Sequence, residues 1–165
     1  MRKIIGIGET ILDIFFKNNQ PTAATPGGST FNAMVTLGRL NTPTTFISET
    51  GDDKVGALIR NFMKANNLDT DYLDINQDVR SAVSLAFLNE NSDAEYVFYK
   101  DHNKARLDNI FPKIEADDIV VFGSFYAVNP KLRPKMMDFL EAARDSGAII
   151  YYDVNFRQTH GGVRT

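Results

Sequence analysis

The sequence predicts an α/β fold in which helices cover both faces of a parallel sheet. Short β-branched runs such as Lys3–Gly8 and Asp118–Ser124 alternate with segments whose apolar residues recur at helical spacing. Such alternation requires crossover connections, and these make neighbouring strands parallel. Two apolar segments, one around Asp13 and one spanning Val83–Lys100, break the alternation and predict a small separate β-layer.

Length and composition are those of one soluble domain with a substantial core. The chain has 165 residues, a net charge of −3 and no cysteine, so disulfides and thiolate chemistry are excluded. No basic block occurs, and we expect no nucleic-acid partner. The apolar run near the N-terminus is too short for a signal peptide or a membrane span, which predicts a cytoplasmic protein without a membrane partner.

Elements of the first half follow from local patterns. Lys3–Gly8 and Thr10–Phe16 are predicted strands, and "NNQPTAATPGGS" is a predicted loop because it is rich in Asn, Pro and Gly. A helix follows, with Ser29 or Thr30 as its N-cap. "TTFISET" is a strand. "GDDKVGALIRNFMKANNL" is a helix capped by Asp52 or Asp53, and its predicted apolar face comprises Val55, Leu58, Ile59, Phe62 and Met63.

The second half continues the alternation. "AVSLAFLN" and "EYVFYK" are two strands joined by a polar turn, which predicts a hairpin. "DIVVFGS" is a buried strand, and "PKLRPKMMDFLEAARDSG" is a helix with Pro in its first turns and Gly147 beyond its end. "AIIYYDVNFR" is predicted to be another buried strand that runs into a polar segment.

Several common catalytic motifs are absent. "GIGETI" begins like a dinucleotide fingerprint, but Ile11 stands where the third glycine is required, and no Walker A sequence occurs. His102 and His160 are isolated and are expected to be surface or loop residues. No His, Asp and Glu cluster has metal-ligand spacing, so no metal ligands are predicted.

The stretch "PGGSTFNAMVTLGRL" is the strongest indication of a ligand-binding site in the sequence. Gly27 and Gly28 precede a helix, where a ligand or another part of the protein can approach backbone amides without meeting a Cβ. The free N–H groups of a helix start suit phosphate. Asn32, in the first turn, can both donate and accept hydrogen bonds and so favours neutral hydroxyls. A tight loop before a capped helix is an equally good explanation of the glycines alone.

Two further segments offer candidate ligands. Asp13 lies among Ile, Leu and Phe, where a charge is costly unless it is paired, and a carboxylate can accept from two hydroxyls. An edge-strand Asp facing water is the ordinary alternative. "YYDVNFR" places Asp153, Asn155 and Arg157 at alternate positions, which share one face in an extended strand. Arg157 could hold a phosphate, or it could pair with Asp153.

Together these stretches resemble the ribokinase-like sugar kinases, the PfkB carbohydrate kinase family. "GGSTFNAMVTLGRL" resembles the family's N-terminal signature, "ETGDDKVGALIRNFMKANNLDTDYL" its next block, and "YDVNFR" its Asp-Pro-Asn-x-Arg segment with Val154 in place of proline. "GETILDIFF" resembles the fructokinase and 2-keto-3-deoxygluconate kinase branch. The resemblance implies a three-layer α/β/α sandwich with a small β-sheet lid, whose strands span approximately 11–25 and 83–100.

The resemblance also implies roles for individual residues. Asp13, Gly27, Gly28 and Asn32 would bind sugar hydroxyls. Phe98, Lys100 and Arg106 would reach the far end of the sugar. Asn155 and Arg157 would lie near the transferred phosphoryl group.

The family's second half carries a Gly-Ala-Gly-Asp motif with the general base, and this sequence contains no such motif. The resemblance therefore implies that residues 1–165 are the N-terminal part of one kinase domain, without a catalytic residue or an ATP-binding half of their own. The intact enzyme would use ATP and Mg²⁺.

Three functions remain open at this stage. The first is a fructokinase-like sugar kinase whose sugar-binding half is seen here and is inactive alone. The second is a non-catalytic sugar-binding or assembly module, and the third is a nucleoside kinase of the same fold. Apolar strands of the small β-layer, with Phe15, Phe16, Phe87 and Phe98, also suggest a homodimer formed through the lid.

Overall fold

The computed structural model describes residues 2–90, 93–100, 106–108 and 111–155, and their strands form two sheets. The large sheet is parallel throughout and confirms the predicted α/β class. Its strand order is β5-β4-β1-β8-β9. These strands are β1 (Ile4–Ile7), β4 (Thr44–Gly51), β5 (Leu73–Asn76), β8 (Ile119–Gly123) and β9 (Ile149–Asp153).

Helices cover both faces of the large sheet and make three layers. The described helices are α1 (Ser29–Arg39), α2 (Lys54–Ala65), α3 (Ser124–Val128) and α4 (Arg133–Asp145). Adjacent residues of β4 point to opposite faces: Phe46 packs in the cluster with α1 and α2, and Ile47 packs in the cluster with α4. In the described ranges no helix is long and apolar enough to cross a membrane.

The small sheet contains the segments that broke the predicted alternation. Its strands are β2 (Ile11–Lys17), β3 (Gln20–Gly27), β6 (Val83–Leu88) and β7 (Ala94–Tyr99), in the order β3-β2-β6-β7. The pairs β2–β3 and β6–β7 are antiparallel hairpins, whereas β2 and β6 are parallel. The predicted separate β-layer is therefore present, and it draws on two distant parts of the chain.

The predicted loop before α1 is wrong, because that segment is strand β3. Asn18 and Asn19 both have positive φ, 52° and 59°, and they connect Lys17 to its register partner Gln20. Two such residues form the tight turn that suits hairpins. The prolines of β3 are tolerated because β3 is an edge strand with only one ladder to maintain. The composition of this segment predicted a loop, but its position at the edge of the small sheet allows it to form a strand.

The helix starts differ in how they are capped. Asp53 is the N-cap of α2, as predicted, and accepts a hydrogen bond from the Gly56 amide at 2.8 Å. For α1 the cap is Gly28, with no capping side chain, so the prediction of Ser29 or Thr30 is wrong. On α2, Ile59 and Met63 are buried as predicted, but Leu58 is 54% exposed.

Strand β9 was predicted to be buried and is exposed along its whole length. The side chains of Ile149–Tyr152 are 41% to 61% exposed. The strand pairs with β8 on one edge, and among the described residues nothing pairs with its other edge. Its apolar pattern is that of a central strand, but its position in this chain is at an edge.

A buried carboxylate fastens the amino ends of β1 and β8. Asp118 is 2% exposed and accepts hydrogen bonds from the backbone amides of Lys3, at 3.1 Å, and Glu115, at 2.9 Å. Burial alone would raise the pKa of Asp118, but these two amides and the Lys3 ammonium outweigh it and lower the pKa below its ordinary value of 3.8. The ionised form is thus the one that stabilises the fold.

We predict that Asp118→Asn lowers the free energy of unfolding at pH 7 by about 1.5–3 kcal/mol, because charged hydrogen bonds are lost. A lowered folded-state pKa contributes stability above the unfolded value, and this is lost as the pH falls through the folded pKa. The destabilisation should therefore shrink at pH 3 and below in urea titrations. The matched change Asp117→Asn, at the exposed neighbour, should stay within about 0.5 kcal/mol.

Candidate functional site

One row of side chains crosses the small sheet on a single face. Thr25 pairs in register with Asp13, Asp13 with Ser84, and Ser84 with Phe98. Residues in register on paired strands point to the same side of a sheet. The fold therefore places two predicted site residues, Asp13 and Phe98, on one face, with the buried Ser84 between them.

Asp13 is half-buried and engaged, so the alternative of a water-facing edge residue does not hold. The Ser84 hydroxyl donates a short hydrogen bond to its Oδ1. Burial raises the pKa of Asp13, the negative charge of Glu9 raises it further, and the Ser84 hydrogen bond opposes both effects. Its second oxygen, Oδ2, faces Gly27, where a Cβ would lie only 2.5 Å away.

The space beside each of the two glycines, where a side chain would lie, is filled by other parts of the protein. A Cβ on Gly27 would meet Asp13 Oδ2, with Asn32 Oδ1 at 3.9 Å. A Cβ on Gly28 would collide with the Glu9 carbonyl, and Gly28 has a φ of +137° that side chains rarely adopt. Both glycines thus serve close packing. This packing brings Asp13, Gly27 and Asn32 together at the start of α1.

Lys100 forms an ion pair that links the small sheet to the large one. Its Nζ lies 2.8 Å from Glu9 Oε2, and the two side chains are only 13% and 20% exposed. The ammonium also lies over the Phe125 ring, 4.1 Å from its centroid, and 5.3 Å from the centroid of Phe98. Lys100 therefore lies beside Glu9, which partners its charge.

Arg106 is held near the site by contacts of its backbone, and its side chain takes no part in them. Its amide and that of Leu107 donate to Glu49 Oε2 at 3.0 and 3.2 Å. The carbonyls of both residues accept from Lys135 Nζ at 2.6 and 2.9 Å. The Arg106 side chain is exposed. What the fold fixes here is the main chain of residues 106–108, held by side chains from β4 and α4.

The end of β9 does not continue as predicted. Asp153 accepts a hydrogen bond from the Ser29 hydroxyl at 3.1 Å, which joins β9 to the start of α1. Asn155 lies beyond the strand with a φ of +30°, so it does not share a strand face with Asp153. Arg157 lies outside the described residues, as do His102 and His160.

Sequence patterns missed three polar residues of this region: Glu9, Ser84 and Glu49. Glu9 follows β1, and Glu49 lies near the end of β4. Ligand sites of open α/β sheets lie at the carboxyl ends of strands, and that rule could have pointed to both glutamates. Ser84 gives no such signal, because only the β2–β6 register places it beside Asp13.

The described residues contain no group of three or more metal-ligating side chains. The arrangement instead offers carboxylate and amide groups at the edge of a partly buried cleft. Such groups bind and orient neutral hydroxyls. The chain is thus an α/β protein whose two sheets bring carboxylate and amide groups together at the carboxyl edge of the large sheet.

The family model for the pfkB family carbohydrate kinases matches residues 1–163. The chain therefore belongs to this family, which confirms the resemblance seen in the sequence. Among curated proteins, it is 22% identical to the probable fructokinase-2 of Arabidopsis thaliana over 94% of this chain and 50% of that protein. It is 28% identical to the probable chloroplastic fructokinase-6 of the same plant, over 80% of this chain and 35% of that one.

Solved structures show the same fold. An aminoimidazole riboside kinase from Salmonella enterica, complexed with aminoimidazole riboside and an ATP analog, superposes with a TM-score of 0.82 at 24% identity. The apo fructokinase from Vibrio cholerae does so with a TM-score of 0.82 at 17% identity. Each match covers 98% of this chain, and 52% and 56% of the solved chains. The chain spans about half the length of the curated relatives it matches first.

We predict that Gly28→Ala destabilises the fold by about 3 kcal/mol, because a strained backbone and a collision with the Glu9 carbonyl add together. Gly147→Ala is the matched control. Gly147 also has a positive φ, +79°, but a Cβ there would make only an ordinary van der Waals contact with the Ala116 Cβ at 3.9 Å, and we expect a cost of about 1 kcal/mol. Urea unfolding of both variants tests this, and equal destabilisation would show that the Glu9 contact contributes nothing.

Proposed function

We propose that this chain forms the sugar-binding part of an ATP-dependent carbohydrate kinase that phosphorylates a sugar hydroxyl. The proposal rests on one observation: Asp13, Gly27 and Asn32 lie close together at the start of α1, next to one face of the small sheet. Membership of the carbohydrate kinase family supports it. Asp13 would accept hydrogen bonds from sugar hydroxyls, and the Asn32 amide would both donate and accept.

The other candidate residues have more limited roles in this proposal. Phe98 would pack against the apolar side of the sugar, in the same row as Asp13 and separated from it by Ser84. Lys100 would act at the end of the site while paired with Glu9, and Arg106 through the loop that Glu49 holds. Asn155 and Arg157 remain proposed neighbours of the phosphoryl group. Gly28 shapes the site through its contact with Glu9.

We further propose that residues 1–165 are the N-terminal part of one ribokinase-like domain, with the small sheet as its lid. The proposal rests on the family match and on relatives about twice as long. The general base and the adenine pocket would then lie in the remaining part. Exposed Tyr96, Val97 and Tyr99 of β7 leave an apolar strand surface that would suit a lid-mediated homodimer.

ATP and Mg²⁺ are the proposed cosubstrate and metal. The glycine pair is not a phosphate cradle here, because protein atoms occupy the space beside both glycines. Within the described ranges no cluster of ligating side chains fits a resident metal. We therefore assign this chain the binding and orientation of the sugar and propose that Mg²⁺ accompanies the nucleotide phosphates.

A riboside kinase is the second candidate function. It is favoured by the likeness to the aminoimidazole riboside kinase, a second structure of which superposes with a TM-score of 0.79 at 26% identity. Fructokinase names among the curated relatives favour a ketose instead. A panel of fructose, ribose and ribosides with one preparation of enzyme distinguishes the two. A catalytically silent sugar-binding module would bind members of the panel and phosphorylate none.

We predict that Asp13→Asn, in the protein as encoded, weakens sugar binding by about 1.5–3 kcal/mol, or about 10–150-fold, because a charged hydrogen-bond acceptor is lost. Nucleotide binding should not change. Because burial raises the Asp13 pKa, sugar affinity should fall as the pH drops through that raised value. Calorimetry checks both effects, with the exposed change Asp52→Asn as control. Equal sugar affinity in the two variants would contradict this role of Asp13.

We predict that residues 1–165, expressed alone, show no sugar-dependent ATP consumption. Phosphoryl transfer requires a held γ-phosphate, a positioned hydroxyl and a group that takes the proton. This chain is proposed to supply the hydroxyl's site alone. A coupled assay with fructose, ribose and 2-keto-3-deoxygluconate tests this, with Asp13→Asn as the blank. Turnover above that blank would place the phosphoryl-transfer machinery within these residues.

A further inference from the structure

A cleft of about 60 Å³ shares Glu9 with the surroundings of the Asp13 site, although Asp13 itself does not line it. It is lined by Glu9, Glu49, Lys100, Phe125 and Tyr126, together with the exposed Arg80 at its rim. The cleft lies at the carboxyl ends of β1, β4 and β8. From the neighbouring strands β1 and β8 the chain leads on to opposite edges of the large sheet, the arrangement at which open α/β sheets bind ligands.

Glu9 connects this cleft to the proposed sugar site. Its carboxylate lines the cleft beside Lys100, its carbonyl packs on Gly28, and its charge acts on Asp13. A ligand that binds Asp13 and Asn32 and also reaches Glu49 and Tyr126 would have to pass Glu9.

Glu49 has one oxygen committed to the protein and one available to a ligand. The backbone amides of Arg106 and Leu107 occupy Oε2, at 3.0 and 3.2 Å. Among the described residues, Oε1 accepts a hydrogen bond only from the Tyr126 hydroxyl, at the long distance of 3.5 Å. Burial raises the pKa of Tyr126 well above its ordinary value, and the charges of Glu49 and Glu9 add to this, so the phenol remains a donor.

The charge balance of the cleft is uneven. Lys100 is neutralised by Glu9, and no described cation forms an ion pair with Glu49. Arg80 is in water, where its field is screened. The inner end of the cleft thus presents a carboxylate acceptor beside a phenol donor. A hydroxyl satisfies both groups, whereas a ligand carboxylate would face a like charge with little water between them.

We propose that Glu49 is a specificity-determining residue, which accepts a hydroxyl of an uncharged sugar at the inner end of the cleft and rejects a sugar acid. This rests on the proposed function, which it narrows to neutral substrates. Discrimination here comes from a repulsive element as well as an attractive one.

The test compares fructose with 2-keto-3-deoxygluconate by calorimetry on the protein as encoded, without nucleotide. Glu49→Gln removes the charge while its amide oxygen still accepts from the two loop amides. It should raise the affinity for the acid relative to fructose by about tenfold or more. Glu141→Gln, an equal charge change on the exposed face of α4, should leave the ratio unchanged.

The remaining outcomes distinguish a failure of this inference from a failure of the proposed function. If Glu49 only anchors residues 106–108, Glu49→Gln weakens both ligands equally, and the unchanged ratio overturns the inference. If the wild-type protein binds sugar in an Asp13-dependent manner but with a ratio insensitive to Glu49, the inference alone fails. If it binds neither ligand but binds ribose or a riboside, the inference alone fails. If it binds no sugar of that panel either, the proposed function fails as well.

A second measurement covers the case in which Glu49→Gln does not fold. In the wild-type protein, raising the salt concentration screens Glu49 at the cleft and should strengthen binding of the acid, while fructose binding stays constant. Acid binding that weakens with salt would indicate a cationic subsite and would overturn the inference.

Discussion

The close passage of the β1–β2 turn beneath the start of α1 is the constraint on which the rest of the site depends. The Glu9 carbonyl fills the space beside Gly28, and the Asp13 carboxylate fills the space beside Gly27. Because both spaces are filled, the small sheet is docked at the carboxyl edge of the large sheet, and Asp13 lies near Asn32. The same turn presents the Glu9 side chain to Lys100, so the second hairpin is also fastened to this point. One tight contact therefore sets the distance between the two sheets.

Three carboxylates come together in this region, and each is stabilised by a different partner. Asp13 accepts from Ser84, Glu9 is paired with Lys100, and Glu49 accepts from two backbone amides. Burial raises the pKa values of Asp13 and Glu49 because these partners do not fully replace water. Such incompletely satisfied acceptors are what a polyhydroxylated ligand can complete. A fully satisfied network would pack equally well but would have nothing left to recognise.

The sequence predicted those parts of the fold that depend on local periodicity. It identified the large sheet, the helices α1, α2 and α4, the separate β-layer and the Asp53 cap. It mistook β3 for a loop and β9 for a buried strand, because both depend on edge position, which no local pattern encodes. At the site it singled out Asp13, Gly27 and Asn32, which the fold brings together. It missed Ser84, because only the β2–β6 register places it beside Asp13. It also missed Glu9 and Glu49, although their positions at the carboxyl ends of strands could have indicated them.

The parallel pairing of β2 with β6 has a consequence for synthesis of the chain. Asp13 and its partner Ser84 are separated by 71 positions, and α1, β4, α2 and β5 lie between them. At roughly 5–20 residues per second, Asp13 leaves the ribosome on the order of 4–14 s before Ser84. During that interval Ile14 and Phe16 form part of an open strand edge. The turn residues Asn18 and Asn19 close that hairpin locally, so it can form before β6 has been synthesised.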